Sequence, residues 1–520
     1  MMKKMLRYIL LPIMVFVTMS GQAAQLRTVV NDSLKVKGFH IDLRIQVMKM
    51  PELKRLVKNL AGKGINTILM EWEGTYPFTE EPLISNRYAY SRAQIIDFIA
   101  YCHSLGLDVI PLQQSFGHVE YILKHYRYAN LREDPVDFSQ VCPSELEADR
   151  QLFTRLYKDL IETHNSPYIH VGGDETHLLG HCDRCKKKAA EFGISRVYFD
   201  YIKMLCQTVV SLGKRPMVWA DMALKYPEYI NELPKQTIFV DWNYGWEKDR
   251  FGEHDKLLNS GYEIWGALAL RSDPDNYFLT TWQHHFDNIK NFIPECRQMG
   301  YKGIVMTSWS TSGEYFPVFE ADNDLVDLFP VRHVYPISGF DLLIDAYSES
   351  LKDSKPLNTN AFIDHYCLLN YGFSAAQAKH FRTALFMAPY KVVQGVVESP
   401  HPITINQLID SARSAAAILH ALKPGKGFNE FQHYILMADI RVFYLQVIEI
   451  EKEINQEAFN NKERYSYIAR LKQLLNISKQ LNERFNNLNE RVLYNAALTE
   501  ENSLRNHKLL SLYHQLVSIK

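Results

Sequence analysis

Between Lys37 and Thr307 the chain alternates between two hydrophobic rhythms. Short apolar runs rich in Val, Ile and aromatic residues predict strands over 38–43, 65–70, 108–112, 168–171, 217–219, 238–241, 263–267 and 304–307. The stretches between them carry apolar residues three and four apart. Leu53, Leu56, Val57 and Leu60 form one such set, and Leu152, Phe153, Leu156 and Leu160 another, a spacing that places each set on one helix face. Ser144 followed by Glu147 reads as a capping box for the second helix. Gly64, Gly106, Gly213, Gly261 and Gly303 each stand just before a strand, where tolerance of left-handed backbone ends a helix. About eight such βα units predict an α/β fold closed into a (β/α)8 barrel of the TIM type. An open, doubly wound sheet is the alternative, and the Gly-rich phosphate loop it would carry after its first strand is missing.

After Ser338 the strand-like runs give way to long helical patterns, as in 440–450 and 471–488. This predicts a C-terminal α-helical domain over 338–520, packed on a barrel spanning 35–337 and offering a candidate homodimer surface. At the other end Lys3, Lys4 and Arg7 precede an apolar run over 9–17 and the small-residue segment Gly21-Gln22-Ala23-Ala24. That layout is a secretory signal peptide over 1–24, and its apolar run is shorter than the ~20 residues that span a bilayer. Export to the periplasm or the extracellular space is the expectation, with no membrane insertion once the leader is removed.

Charge narrows the partners. With 58 Lys and Arg against 59 Asp and Glu, no net field draws in nucleic acid or an anionic membrane. Seven cysteines in 520 residues make no disulfide scaffold, and the odd count leaves a thiol over. Cys182 and Cys185 form a C-x-x-C pair, read as a local disulfide or plain thiols in preference to zinc shared with His177 and His181. No metal or cofactor is expected.

Catalysis in such a barrel sits where the strands end, so polar residues just past each apolar run are the candidates. The fourth run continues as His170-Val171-Gly172-Gly173-Asp174-Glu175-Thr176. Two glycines let the backbone turn tightly, and two carboxylates follow side by side. Most glycosidases need carboxyls on opposite sides of the scissile bond, which sequence neighbours serve poorly. Neighbours better suit a scheme in which one carboxyl is the acid/base while the other holds a substrate group that itself attacks. Two carboxyls this close are also expected to push one pKa upward.

The 170–175 motif resembles the signature of glycoside hydrolase family 20, the β-N-acetylhexosaminidases. Segments 37–43, 71–73, 76–78 and 111–118 resemble its hexosaminidase D branch, and the likeness runs from about Lys37 to Val331. The resemblance implies an exo-acting enzyme that releases terminal GlcNAc or GalNAc from glycans with retention, through an oxazoline formed by the sugar's own acetamide. Glu175 would be the acid/base and Asp174 would orient the acetamide. Implied substrate-binding residues are Lys37, Asp42, His118, His170, Trp219, Trp242, Trp309 and a tyrosine for the acetamide oxygen, with Tyr277 favoured over Tyr244. Lys37 stands where the family has an arginine for sugar hydroxyls, and Phe116 stands where proline is common. The family's Trp-x-Glu after the last strand is absent, since Ser310 and Thr311 follow Trp309. Two other readings stay open. One is a glycosidase pairing Glu175 with Glu71, Glu73, Asp221 or Asp241 on another strand, acting on sugars without an acetamide. The other is a catalytically silent glycan-binding barrel.

Overall fold

The computed structural model describes residues 34–311, 313, 315–320, 325–460 and 462–518. The expected leader over 1–24 and Glu314 lie outside the described residues. Eight parallel strands close on themselves in chain order: β1 (Val36–Asp42), β2 (Thr67–Glu71), β3 (Asp108–Leu112), β4 (Tyr168–His170), β5 (Arg215–Trp219), β6 (Ile238–Trp242), β7 (Glu263–Arg271) and β8 (Gly303–Ser308). Pairing of Lys37 with Ile304 and Gly38 with Val305 brings β8 back onto β1. A hairpin, β9 (Tyr315–Glu320) and β10 (Leu325–Pro330), follows the last barrel strand.

Each strand sends alternate side chains inward and outward. The inward set, including Leu69, Ile110, Met217, Ile238, Trp265 and Val305, fills the barrel as a core of its own. The outward set packs on the surrounding helices. Leu53, Val57 and Leu60 of the helix Met50–Gly62 are fully buried this way, each worth about 1.5–3 kcal/mol relative to exposure. Gly64, Gly106, Gly213 and Gly261 all have positive φ, as a helix stop requires. The fifth stop is Gly300 (φ 77°), and Gly303 is the first residue of β8. Gly303 is there for packing, because a Cβ would meet the Trp265 ring at 2.8 Å. Ser144 does not cap the helix Leu146–Ile161: Glu145 is the N-cap residue, and the Ser144 hydroxyl lies 3.0 Å from Cys185 Sγ.

From Asp341 the described chain is helical apart from a small hairpin, β11 (Lys391–Val393) and β12 (Val396–Glu398). Helices and barrel belong to one compact unit with a continuous apolar core. The Tyr347 hydroxyl donates between the carbonyls of Gly38 on β1, at 2.9 Å, and Ile304 on β8, at 3.1 Å, across the barrel seam. None of the described helices is long and apolar enough to cross a membrane.

Candidate active site

The C-terminal ends of the strands surround a cavity of about 360 Å³. The turn after β4 shapes it. Gly172 and Gly173 have φ of 76° and 91°. The Gly172 carbonyl accepts from Trp219 N at 3.1 Å, and the Gly173 carbonyl accepts from the Tyr198 hydroxyl at 3.1 Å. A Cβ at Gly172 would overlap the side-chain oxygen of Gln114. Gly172→Ala is therefore expected to cost about 2–4 kcal/mol from left-handed strain and overpacking together. An unchanged urea midpoint would contradict this account of the turn.

The turn delivers Asp174 and Glu175 to the rim on one side, facing the ring of His118, which follows β3. His118 Nε2 lies 3.5 Å from Asp174 Oδ2 and 3.3 Å from Glu175 Oε2. Its other nitrogen, Nδ1, is 3.0 Å from the Gly313 carbonyl, which can only accept, so Nδ1 carries a proton. Burial alone would depress the imidazole pKa, but Asp174 and Glu175 outweigh it and hold His118 well above its ordinary value. Burial would likewise raise Glu175, and the hydrogen bond and charge of His118 reverse that, leaving its carboxyl below the usual range. Glu175 is thus not raised by its neighbour; Asp221, just beyond β5, is, because burial and the charge of Asp174 lift it to about 7. Asp221 Oδ2 accepts from Glu175 N at 3.0 Å and its Oδ1 accepts from Trp242 Nε1 at 3.2 Å. Both His118 (φ 55°) and Glu175 (φ 46°) hold left-handed backbone without being glycine, strain of the kind that collects at working sites.

Aromatic rings form the wall. Trp219 and Trp309 stand with centroids 6.0 Å apart, and Trp242 lies 5.1 Å from Tyr244 and 5.2 Å from Trp246. Trp309 Nε1 donates to the Tyr244 hydroxyl at 2.7 Å, and Thr307 Oγ1 lies 3.2 Å from the same oxygen. Asp174 is 7% exposed, and its Oδ1 is buried without a hydrogen-bond partner. A buried carboxylate oxygen left in this way is costly unless a ligand supplies the donor.

Residues 37–318 match the catalytic domain of glycosyl hydrolase family 20. The chain belongs to glycosyl hydrolase family 20. It is similar to Hexosaminidase D of Bos taurus, 28% identical over 311 residues that cover 56% of this chain and 87% of that one. It is also similar to Hexosaminidase D of Homo sapiens, 26% identical over 297 residues that cover 53% of this chain and 60% of that one. Among solved structures, a β-N-acetylhexosaminidase from Bacteroides fragilis aligns over 65% of this chain and 70% of its own, with 16% identity and a TM-score of 0.48.

The family 20 cavity brings together Asp174, Glu175, His118, Trp219, Trp242, Tyr244 and Trp309. Four other candidates lie elsewhere. Lys37 is the second residue of β1, beside the first residues of β8. Five residues at ~3.3 Å each put it about 16 Å down the strand from Asp42, toward the barrel's far end. The cavity arginine nearest the end of that strand in sequence is Arg44, two residues past Asp42. Asp42 serves Arg44 and the β8 end instead of a ligand: its Oδ1 accepts from Arg44 N at 2.9 Å, and its Oδ2 accepts from Ser310 N at 2.8 Å and Ser310 Oγ at 2.7 Å. His170 is fully buried beneath the turn, where its Nδ1 accepts from Gly172 N at 3.1 Å and burial pushes its pKa down to about 3. Tyr277 is covered by the last helix, and its hydroxyl accepts from Arg505 at 2.9 Å. Its helical cover comes from more than two hundred residues along the chain, which local sequence cannot announce. Arg44 and Asp221 were within reach of the strand-end rule. Trp246, Arg250 and Arg332 also line the cavity from longer loops, and no local pattern marks them.

Arg44 is held rigidly. It pairs with Glu71, and its Nε lies 2.9 Å from Glu73 Oε1, while His40 Nε2 donates to Glu71 Oε2 at 2.9 Å. Burial would lower the Arg44 pKa, but Glu71, Glu73 and Asp42 hold it well above the ordinary value.

Proposed function

We propose that this glycoside hydrolase is an exo-acting β-N-acetylhexosaminidase that retains configuration through substrate assistance. The observation that carries the reading is the unpartnered Oδ1 of Asp174, set among Trp219, Trp242, Trp309 and Tyr244. An acetamide N–H satisfies that oxygen, and the Tyr244 hydroxyl donates to the acetamide carbonyl. The carbonyl oxygen then attacks the anomeric carbon, and Asp174 balances the positive charge on the resulting ring. Glu175 protonates the departing glycosidic oxygen and later takes a proton from water. A second carboxylate acting across the bond finds little support, because each rival is already engaged. Glu71 and Glu73 hold Arg44, Asp221 holds Glu175 N and the Trp242 indole, and Asp241 accepts from Tyr301 at 2.6 Å beside His254. A silent glycan binder has no use for the His118–Glu175 pair.

The deciding experiment compares aryl β-glycosides of GlcNAc and GalNAc with those of Glc and Gal. Turnover confined to the acetamido sugars is expected, and equal turnover of the plain sugars would overturn substrate assistance. Failure to turn over any of the four would favour the binding reading.

In this scheme His118 and Glu175 share one exchangeable proton, held by the imidazole before the substrate binds and by the carboxyl when it acts as the acid. The alkaline limb of kcat/KM is therefore expected above the ordinary imidazole range, since loss of that proton removes the acid. His118→Gln is expected to move the limb toward acid, because the proton then rests on the Glu175 carboxyl alone, which burial raises once His118 is gone but not into the raised imidazole range. A limb that stays in place would separate His118 from the proton.

A further inference from the structure

We infer that Glu133, Cys142, Cys182 and Cys185 bind one zinc ion, which fastens the loop after β3 to the loop after β4. One ligand atom from each of the four lies within 4.8 Å of every other. Cys142 Sγ is 3.5 Å from Cys182 Sγ and 3.7 Å from Cys185 Sγ. Tetrahedral zinc with Zn–S bonds of about 2.3 Å sets neighbouring sulfurs roughly 3.7 Å apart, whereas a disulfide draws two of them to about 2.05 Å. Glu133 is 2% exposed; its Oε1 accepts from Cys182 N at 2.8 Å, and its Oε2 is buried with no hydrogen-bond partner. That oxygen is the fourth ligand.

The hydrogen bond with Cys185 and burial raise the Cys142 thiol, and burial raises the Cys182 thiol, so it is the charge of the ion that makes them thiolates. Each sulfur has a donor that is not a ligand atom: Arg184 Nη2 at 3.7 Å from Cys142, the Cys185 backbone amide at 3.4 Å from Cys182, and the Ser144 hydroxyl at 3.0 Å from Cys185. The Ser144 hydroxyl, which sequence reasoning gave to a helix cap, is thereby explained. Cys182 is the N-cap residue of the helix Asp183–Phe192, so it and Cys185 stand at the positive end of a helix dipole. Three thiols give their protons to solvent as the ion binds. The resulting centre carries two net negative charges, partly offset by Arg184.

The two loops reach both halves of the proton pair. The Val119 amide donates to the Ser139 carbonyl at 3.2 Å, and the Val141 amide donates to the Phe116 carbonyl at 3.1 Å, bracketing His118. Across the gap the Leu178 amide, close behind Glu175, donates to Gln140 Oε1 at 2.9 Å. An ion joining Cys142 to Cys182 and Cys185 thus sets the distance between His118 and Glu175 without touching the sugar. These four side chains form a structural centre, outside the catalytic cavity.

The test uses the full chain purified without chelators. Elemental analysis is expected to find one zinc per chain. Exchange for Co(II) is expected to give intense thiolate-to-metal bands in the near ultraviolet and the visible bands of a tetrahedral site. Cys142→Ser and Cys185→Ser lose the metal, while Cys296→Ser, far from the cluster, keeps it. Should the serine variants fail to fold, the cobalt spectrum of the unaltered chain still decides. The proposal is overturned by metal-free protein without cobalt bands, or by peptide mapping that finds Cys142, Cys182 or Cys185 in a disulfide.

Discussion

Glu175→Gln is expected to lower kcat on a GlcNAc glycoside by about 10²- to 10⁴-fold, the usual range for losing a positioned general acid. The substitution keeps volume and leaves the backbone amide on Asp221, so the melting temperature should move little. What disappears is a transferable proton. The loss should therefore depend on the leaving group: large for an alkyl or sugar aglycone, and much smaller at the first step for a dinitrophenolate, which departs without help. A loss of the same size across that series would remove Glu175 from the acid role and leave it as a binding group. Added azide sharpens the reading, since a small nucleophile bypasses the missing base at the second step. Recovery of turnover with the activated aglycone is expected.

Asp174→Asn carries the second large effect, about 10²- to 10³-fold in kcat, comparable to removing one preorganised charge-stabilising group. Asparagine keeps the shape of the side chain, but it loses the negative charge and can turn an amide N–H toward the substrate's own N–H. The developing positive charge on the cyclised acetamide then has no counter-ion. In contrast to the Glu175 variant, this loss should be nearly independent of the leaving group. A leaving-group dependence matching that of Glu175→Gln would merge the two roles and sink the division of labour drawn from the unpartnered Oδ1.

The barrel was legible because its signals are local. Each strand run is nearly continuous in apolar residues, as a strand covered on both faces must be, and each is followed within a few residues by the polar group it delivers. Trp219, Trp242 and Trp309 stand at strand ends as that rule asks, and the family resemblance is what marked them as pocket walls. What was not legible depends on distant chain. Tyr277 reads as a pocket residue until the helix bearing Arg505 covers it. Lys37 was placed by counting from a glycine, and the strand's direction carries that position to the wrong end of the barrel. Asp42 and His170 are where strand ends were expected, but the Asp42 carboxylate and His170 Nδ1 turn to backbone and hydroxyl groups of the protein itself, and His170 Nε2 is buried without a partner. The cysteine cluster was half visible. The C-x-x-C pair lies in one loop, while Cys142 and Glu133 arrive from another, and only the fold shows that they meet.

The seam between β1 and β8, held from outside by Tyr347, has a consequence for the nascent chain. The first strand leaves the ribosome long before its partner exists. At synthesis rates of about 5–20 residues per second it waits on the order of tens of seconds with its edge open. An unpaired edge of that kind is a template for the wrong neighbour. The helix Asp341–Ser350, whose Tyr347 bridges the two carbonyls, emerges later still. A chaperone that shields the Val36–Asp42 edge over that interval would raise the yield of active enzyme without altering the finished molecule.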